Sequence, residues 1–327
     1  MPHQSPHAPL RARERTHPEA VLVANVLAGL RETPKRIAPV YFYDALGSAL
    51  FDQICELPEY YLTRTETQIL RDDGADMADQ IGENVLLVEF GSGSSIKTRL
   101  LLDRLRSVAA YVPVDISRSH LLAAARRIAS AYPQVEVLPV CADFTKPFTV
   151  PAPRRAPTRI VVFFPGSTIG NFDPQDAVNL LGLMRDIAGQ EGGVLLGADL
   201  VKDAAVMVRA YDDAAGVTAA FNRNVLQRFN NELDADFDVA SFRHHAVWNA
   251  AASRIEMHLV STRRQRVTLA GESIELDEGE RIVTEHCHKY TLAAIREQAR
   301  HAGWAARRHW LDSNQYFSLT YLEAVDR

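Results

Sequence analysis

Cysteine is scarce: Cys55, Cys141 and Cys287 are the only three in 327 residues. An odd number at wide spacing supplies neither a disulfide framework nor a Cys-x-x-Cys metal pair, and it suits a reducing cytoplasm. Long apolar runs are missing too. No window approaches the roughly 18 apolar residues of a membrane-spanning helix, and the first residues carry arginine, proline and histidine without an apolar signal core, so neither a membrane nor export is expected. Charge of one sign is not in excess. With 36 basic and 41 acidic residues the net charge is -5, which gives no global field to draw in nucleic acid or anionic lipid. A small-molecule partner remains, and a monomer is expected.

Hydrophobic residues make up 47% of the chain, enough to bury the core of one large or two medium domains. The first 17 residues, rich in proline, histidine and arginine, read as a loosely ordered arm. A helix is expected from Pro18 to about Leu30, an extended segment over Ile37 to Tyr43, and a second helix carrying Leu46, Leu50, Phe51 and Ile54. Between about Thr63 and Leu200, helical stretches alternate with apolar runs at 85–90, 110–114, 135–140, 160–164 and 194–200. That pattern predicts βαβ units and a parallel sheet covered on both faces. Residues 201–231 read as helical. Alternating strands then follow at 242–248, 254–269 and 281–290, where antiparallel pairing is expected. A helix over 291–302 stopped by Gly303, with strands at 304–311 and 316–324, returns the chain to the parallel sheet, so the second unit is partly an insertion.

The run Val85-Leu86-Leu87-Val88-Glu89-Phe90 turns through Gly91-Ser92-Gly93-Ser94-Ser95. Glycines just past a buried strand let the backbone turn sharply and approach a ligand closely. The dinucleotide pattern lacks its third glycine, Ile96 standing in that place, which weakens the case for a hydride carrier. Glu89, ahead of Gly91, and Asp115, closing the run Tyr111-Val112-Pro113-Val114-Asp115, suit a ligand with a positive centre and a ribose diol. S-adenosylmethionine has both. The glycines alone fit an ordinary strand-to-helix turn equally well, and the two placed acids shift the reading toward the ligand.

Longer strings narrow the choice. Tyr41-Phe42-Tyr43-Asp44-Ala45-Leu46-Gly47-Ser48, Leu57-Pro58-Glu59-Tyr60-Tyr61, Gly166-Ser167-Thr168-Ile169-Gly170-Asn171 and the stretch from Ala210-Tyr211-Asp212-Asp213 to Phe221-Asn222-Arg223-Asn224 closely resemble the S-adenosylmethionine-dependent histidine Nα-methyltransferases of ergothioneine biosynthesis. The resemblance covers nearly everything after the arm. It implies an α/β fold, a class I Rossmann-like methyltransferase domain over 63–200 and 291–327 with a second, smaller α+β substrate-binding domain over 18–62 and 201–290. It also implies that Gly91 and Gly93 lie against the methyl donor, that Lys97 contacts it, that Asp115 binds the ribose hydroxyls and that Asp143 and Phe144 hold the adenine. For the amino acid it implies a pocket of Tyr60, Asn171 and Tyr211 with Tyr43 nearby, Met257 beside the ring, and Glu285 with the residue two further on binding the imidazole. Three successive transfers would then give the betaine hercynine.

The chemistry of these side chains agrees with a free amino acid. A carboxylate needs donors and an amine needs an acceptor; Asn171 offers both, and tyrosine hydroxyls donate without adding a fixed charge. Asn171 and Tyr43 are therefore the candidates for orienting the amine. At the second ring position the family has serine and this chain has Cys287, a weaker donor and acceptor than a hydroxyl. That leaves room for a related N-methyltransferase of another amino acid or aromatic amine, or for a non-catalytic amino-acid-binding protein. Strand alternation puts Glu285 and Cys287 on one face and His286 and His288 on the other. Because adjacent side chains diverge and no second ligand cluster lies nearby in sequence, no metal is expected there.

Overall fold

The computed structural model describes residues 17–91, 93 and 95–325. Residues 1–16 of the expected arm, and Ser92 and Ser94 of the glycine loop, lie outside the described residues, and residue 17, expected in the arm, already belongs to the first helix. In chain order come α1 (His17–Leu30), β1 (Lys35–Arg36), α2 (Ala45–Glu56) and α3 (Tyr61–Ile81), then β2 (Val85–Phe90), α4 (Ile96–Leu102), β3 (Val108–Asp115), α5 (Arg118–Ala131), β4 (Glu136–Val137), β5 (Val140–Cys141), β6 (Arg159–Phe164), α6 (Pro174–Ala188) and β7 (Gly193–Asp199). They are followed by α7 (Ala204–Arg209), α8 (Val217–Glu232), β8 (Phe242–Asn249), β9 (Arg254–Ser261), β10 (Gln265–Leu269), β11 (Glu272–Leu276), β12 (Arg281–His288), α9 (Leu292–His301), β13 (Trp304–Leu311) and β14 (Phe317–Ala324).

The larger sheet has the order β13-β14-β7-β6-β2-β3-β4, with β5 also pairing to β3. Strands β2, β3, β6 and β7 are parallel, and β14 joins β7 antiparallel, as does β13 to β14. The chain moves to one side of β2 through β3 and to the other through β6, so a crevice opens at the carboxyl ends of these strands, where open α/β sheets bind ligands. Successive residues of β2 serve opposite layers. Val85 and Leu87 join an apolar cluster with α1, α3 and the second sheet, whereas Leu86 and Val88 pack toward α6 and α9. Both faces being covered is why the run is unbroken. The second sheet, β1-β12-β9-β8, is antiparallel except for β1, and its Leu259 and Ile282 belong to the same cluster as Val85 and Leu87. No helix among the described residues is long and apolar enough to cross a membrane.

Several boundaries differ from the sequence reading. Residues 39–42 form a 3-10 turn rather than an extended segment, with Pro39 at its first position, where a missing N–H costs nothing. The strand expected at 135–140 is two short pairings, because Pro139 cannot donate to a ladder. The helix expected over 201–231 breaks between α7 and α8, where the carboxylate of Asp213 accepts from the N–H groups of Val217 and Thr218 and so starts α8. That break carries Tyr211. The strand expected over 254–269 divides into β9 and β10, and β11, absent from the reading, pairs back onto β10.

Candidate active site

The glycine loop leaves β2 with Gly91 at φ +75°, a left-handed conformation that favours glycine. The N–H of Gly91 donates to the carbonyl of Val114 (2.9 Å), which fixes the loop beside the end of β3. Asp115 closes β3 and stands in register with Cys141, so Asp143 and Phe144 follow directly alongside it. Phe144 stacks on Phe90 with ring centroids 5.2 Å apart, and a Cβ on Gly91 would meet its ring at 4.0 Å. Asp115 accepts a hydrogen bond from the N–H of Ser117 at 2.8 Å, and burial raises its pKa. A floor of glycine backbone, an acid at the next strand end and an apolar ring beside them suit a ribose and an adenine.

Three expected cofactor contacts are otherwise engaged. The carboxylate of Glu89 is sealed beneath the loop, accepting from the hydroxyls of Tyr111 and Thr98, the latter at 2.7 Å, so it does not face outward toward a positive centre. Burial pushes its pKa up to about 7. Lys97 is paired with Glu66 of α3, a buried acid that also accepts from the N–H of Gly166 at 2.9 Å. The carboxylate of Asp143 accepts from the N–H of Thr145 (3.0 Å) and its hydroxyl (2.6 Å). Sequence reasoning missed Glu66, although a lone acid between Leu62 and Ile69 on an apolar helix face was a signal.

Asn171 ends a 3-10 turn over Thr168–Asn171, just beyond β6. Its side chain makes no hydrogen bond to another described residue. The turn is held against the second sheet: Tyr290 donates to the carbonyl of Ile169 at 3.2 Å, and a Cβ on Gly170 would lie 2.7 Å from the carbonyl oxygen of His288. Only glycine lets β12 pass that close. Tyr60 and Tyr211 are 8% and 6% exposed, with rings edge-on at 6.2 Å. Tyr43 is 42% exposed and packs edge-on against Phe51 and Phe221. Burial of its hydroxyl, then Glu285, Cys55, Cys287 and Asp115, push its ionisation far above the usual tyrosine range. Tyr43 thus lies within electrostatic reach of both the Asp115 and the Glu285 sides.

On the second sheet a β-bulge places Thr284 out of register, so that Val283 pairs with His258 but Glu285 pairs with Met257. Glu285, Cys287 and Met257 therefore share one face. Burial raises the Glu285 carboxyl to about 7, opposed by the positive charge of Lys289, and no hydrogen bond from a described residue offsets that burial. Cys287 Sγ lies 2.8 Å from the Tyr211 hydroxyl. Lys289 Nζ donates to the same hydroxyl (2.7 Å) and approaches Cys287 Sγ at 3.2 Å, and it pairs with Asp199 at 2.8 Å, both side chains being fully buried. Asp199 also accepts from Tyr61 and Lys202. This network of Lys289, Asp199, Lys202 and Tyr61 was not foreseen; it joins the end of β7 to the end of β12 and fixes the Tyr211 hydroxyl from behind. His244 Nε2, 2.8 Å from the Tyr211 carbonyl, braces its backbone.

The opposite face of β12 carries His286 and His288, as alternation requires, and Asp173 from the start of α6 meets both.

Residues 22–324 match the family described as histidine-specific methyltransferases, SAM-dependent. The chain is 46% identical over 302 residues to the histidine N-alpha-methyltransferase of Mycobacterium tuberculosis, covering 90% of this chain and 92% of that one. It is 44% identical, with the same coverage of each, to the histidine N-alpha-methyltransferase of Mycolicibacterium smegmatis. Ergothioneine biosynthesis protein 1 of Neurospora crassa is 28% identical over 88% of this chain, which spans 33% of that longer protein. With a doubly wound sheet whose crevice gathers Gly91, Asp115 and Asn171, and a match running from α1 to β14, the chain belongs to the family of histidine-specific, S-adenosylmethionine-dependent methyltransferases.

Proposed function

We propose that the protein methylates the α-amine of L-histidine, three times in succession, to give hercynine for ergothioneine biosynthesis. The observation that carries this reading is Glu285: a carboxylate of the second sheet whose pKa burial has raised, without a hydrogen-bond partner among the described residues and flanked by Met257, needs an N–H from outside the chain. An imidazole N–H supplies it, in a charge-assisted bond. Gly91, Gly93, Asp115, Asp143 and Phe144 would hold the methyl donor. Lys97 would act through Glu66, and Glu89 would act by shaping the loop from below. When bound, S-adenosylmethionine supplies an electrophilic methyl group on a sulfonium.

The chain's own part is alignment. Tyr60, Tyr211 and Asn171 present donors for the substrate carboxylate, and Asn171 with Tyr43 orients the amine with its lone pair toward the crevice. An ammonium beside a sulfonium is electrostatically disfavoured, which favours loss of the amine proton before transfer. Neither Asn171 nor Tyr43 brings a fixed charge to the nitrogen, so mono- and dimethylated amines can re-enter. We assign the cofactor role to 63–200 with 291–327, and the substrate role to 18–62 with 201–290.

Incubation with histidine and S-adenosylmethionine, followed by product mass, tests the reading: trimethylhistidine is expected, and cofactor-binding protein that yields no methylated histidine refutes it. Tryptophan and tyrosine in the same assay test the alternative that Cys287 shifts selectivity to another amino acid. Cys287→Ser is expected to lower the KM for histidine roughly 2- to 10-fold at similar kcat, the worth of one neutral hydrogen bond. A KM that is unchanged or raised would show that the thiol serves Tyr211 and Lys289 rather than the ring.

A further inference from the structure

We propose that Asp173, His286 and His288 form a binding site for a divalent transition-metal cation of the zinc class, on the face of β12 turned away from Glu285. His286 Nδ1 and His288 Nε2 lie 3.6 and 3.5 Å from the same oxygen, Asp173 Oδ1, and one ligand atom from each residue falls within 4.8 Å of the others. Tetrahedral zinc with bonds of about 2.0–2.1 Å separates its ligand atoms by about 3.3–3.4 Å. Two of the three edges are therefore already close to that spacing.

A second observation points the same way. The His288 side chain is 8% exposed and its Nε2 has no hydrogen-bond partner among the described residues, since 3.5 Å to Asp173 is too long for an ordinary bond. A buried, unsatisfied imidazole nitrogen is costly, and a metal relieves that cost more fully than distant water could. Two imidazoles and one carboxylate form a borderline donor set that suits zinc, cobalt or nickel better than calcium or magnesium. Two guanidinium groups set limits on affinity. Arg36 Nη2 lies 3.1 Å from His286 Nδ1 and must yield that nitrogen, whereas Arg254, 3.5 Å from Asp173, is already paired with Glu256 at 2.8 Å. With three protein ligands, a fourth position is left for water.

The location gives the site a consequence. Asp173 lies two residues after Asn171, and His286 and His288 flank Cys287, so a cation there ties the amine-facing turn to the ring-facing strand. The test uses the full chain and the metals alone. Zn2+ is expected to bind at one per chain by calorimetry and to raise the melting temperature; Co2+ should give the visible absorption of a tetrahedral site and be displaced by Zn2+. His288→Gln and, on a separate element, Asp173→Asn should each weaken Zn2+ binding at least ten-fold and remove the thermal shift. A variant lacking His3 and His7 should bind as the wild type does. If His288→Gln does not fold, Asp173→Asn decides alone. Wild-type protein without the Zn2+ shift, Zn2+ binding that survives both site variants, or binding lost with His3 and His7, overturns the proposal.

Discussion

Glu285→Ala is expected to lower kcat/KM for histidine by about 10- to 150-fold, the worth of a hydrogen bond to a charged group, while cofactor affinity changes by less than about two-fold. Glu285→Gln keeps the shape and an acceptor oxygen but loses the charge, so it should fall between wild type and alanine. The pH profile separates a binding role from a structural one. In the free enzyme the Glu285 carboxyl titrates near 7 because burial disfavours its charge, so wild-type kcat/KM for histidine should fall as pH drops through about 7. That limb should be absent in Glu285→Gln. The linked stability has the opposite sign. A carboxyl whose folded pKa is raised holds its proton more tightly in the native state, so its contribution is complete below the unfolded value and is lost as pH rises through about 7. Glu285→Gln should therefore be more resistant to urea than wild type at pH 8. Equal losses of histidine and cofactor binding would make Glu285 a structural residue.

The largest stability effect is expected from Asp199→Ala. Asp199 and Lys289 are fully buried, Lys202 nearly so, and burial has already pushed Lys202 down to about 8 against the pull of Asp199. Removing the acid leaves Lys289 and Lys202 buried without their counter-charge, to be held charged or made to give up a proton, which costs about 3–5 kcal/mol. Urea unfolding at neutral pH should show this, and Lys289→Met on the Asp199→Ala background should recover part of it, because one uncompensated charge is then gone. A loss below about 1 kcal/mol would mean that water reaches the two ammonium groups and solvates them once the acid is gone.

Much of the larger sheet was legible because strands covered on both faces must be apolar through their middles, and β2, β3, β6 and β7 are, their charged residues falling at or next to the strand ends. Asp115 was legible because an acid closing such a strand has no packing reason to be there. Tyr60, Tyr211, Met257 and Cys287 stood out as candidates only through resemblance, since each fits a core equally well. Lys289 and Asp199 were not legible: a lysine near the end of an alternating strand reads as a solvated end, and nothing local announces a partner on another sheet. The same holds for Asp173 beside His286 and His288. The divergence of the two histidines from Cys287 follows from alternation alone, but a ligand arriving from the start of α6 belongs to tertiary structure. Strand β11 could have been found, because Ala270-Gly271 followed by Ile274 and Leu276 is a turn and an alternation.

The unpaired Thr284 has a wider meaning. Along β12 it acts as a phase slip of half a period: upstream, Val283 is aligned with His258, and downstream, Glu285 is aligned with Met257. One strand can thus be anchored in one phase and present its chemistry in the other. The two rows it displays, Glu285 with Cys287 and His286 with His288, are exchanged by a single inserted or deleted residue, so the length of this strand, as much as its composition, decides which chemistry faces the crevice.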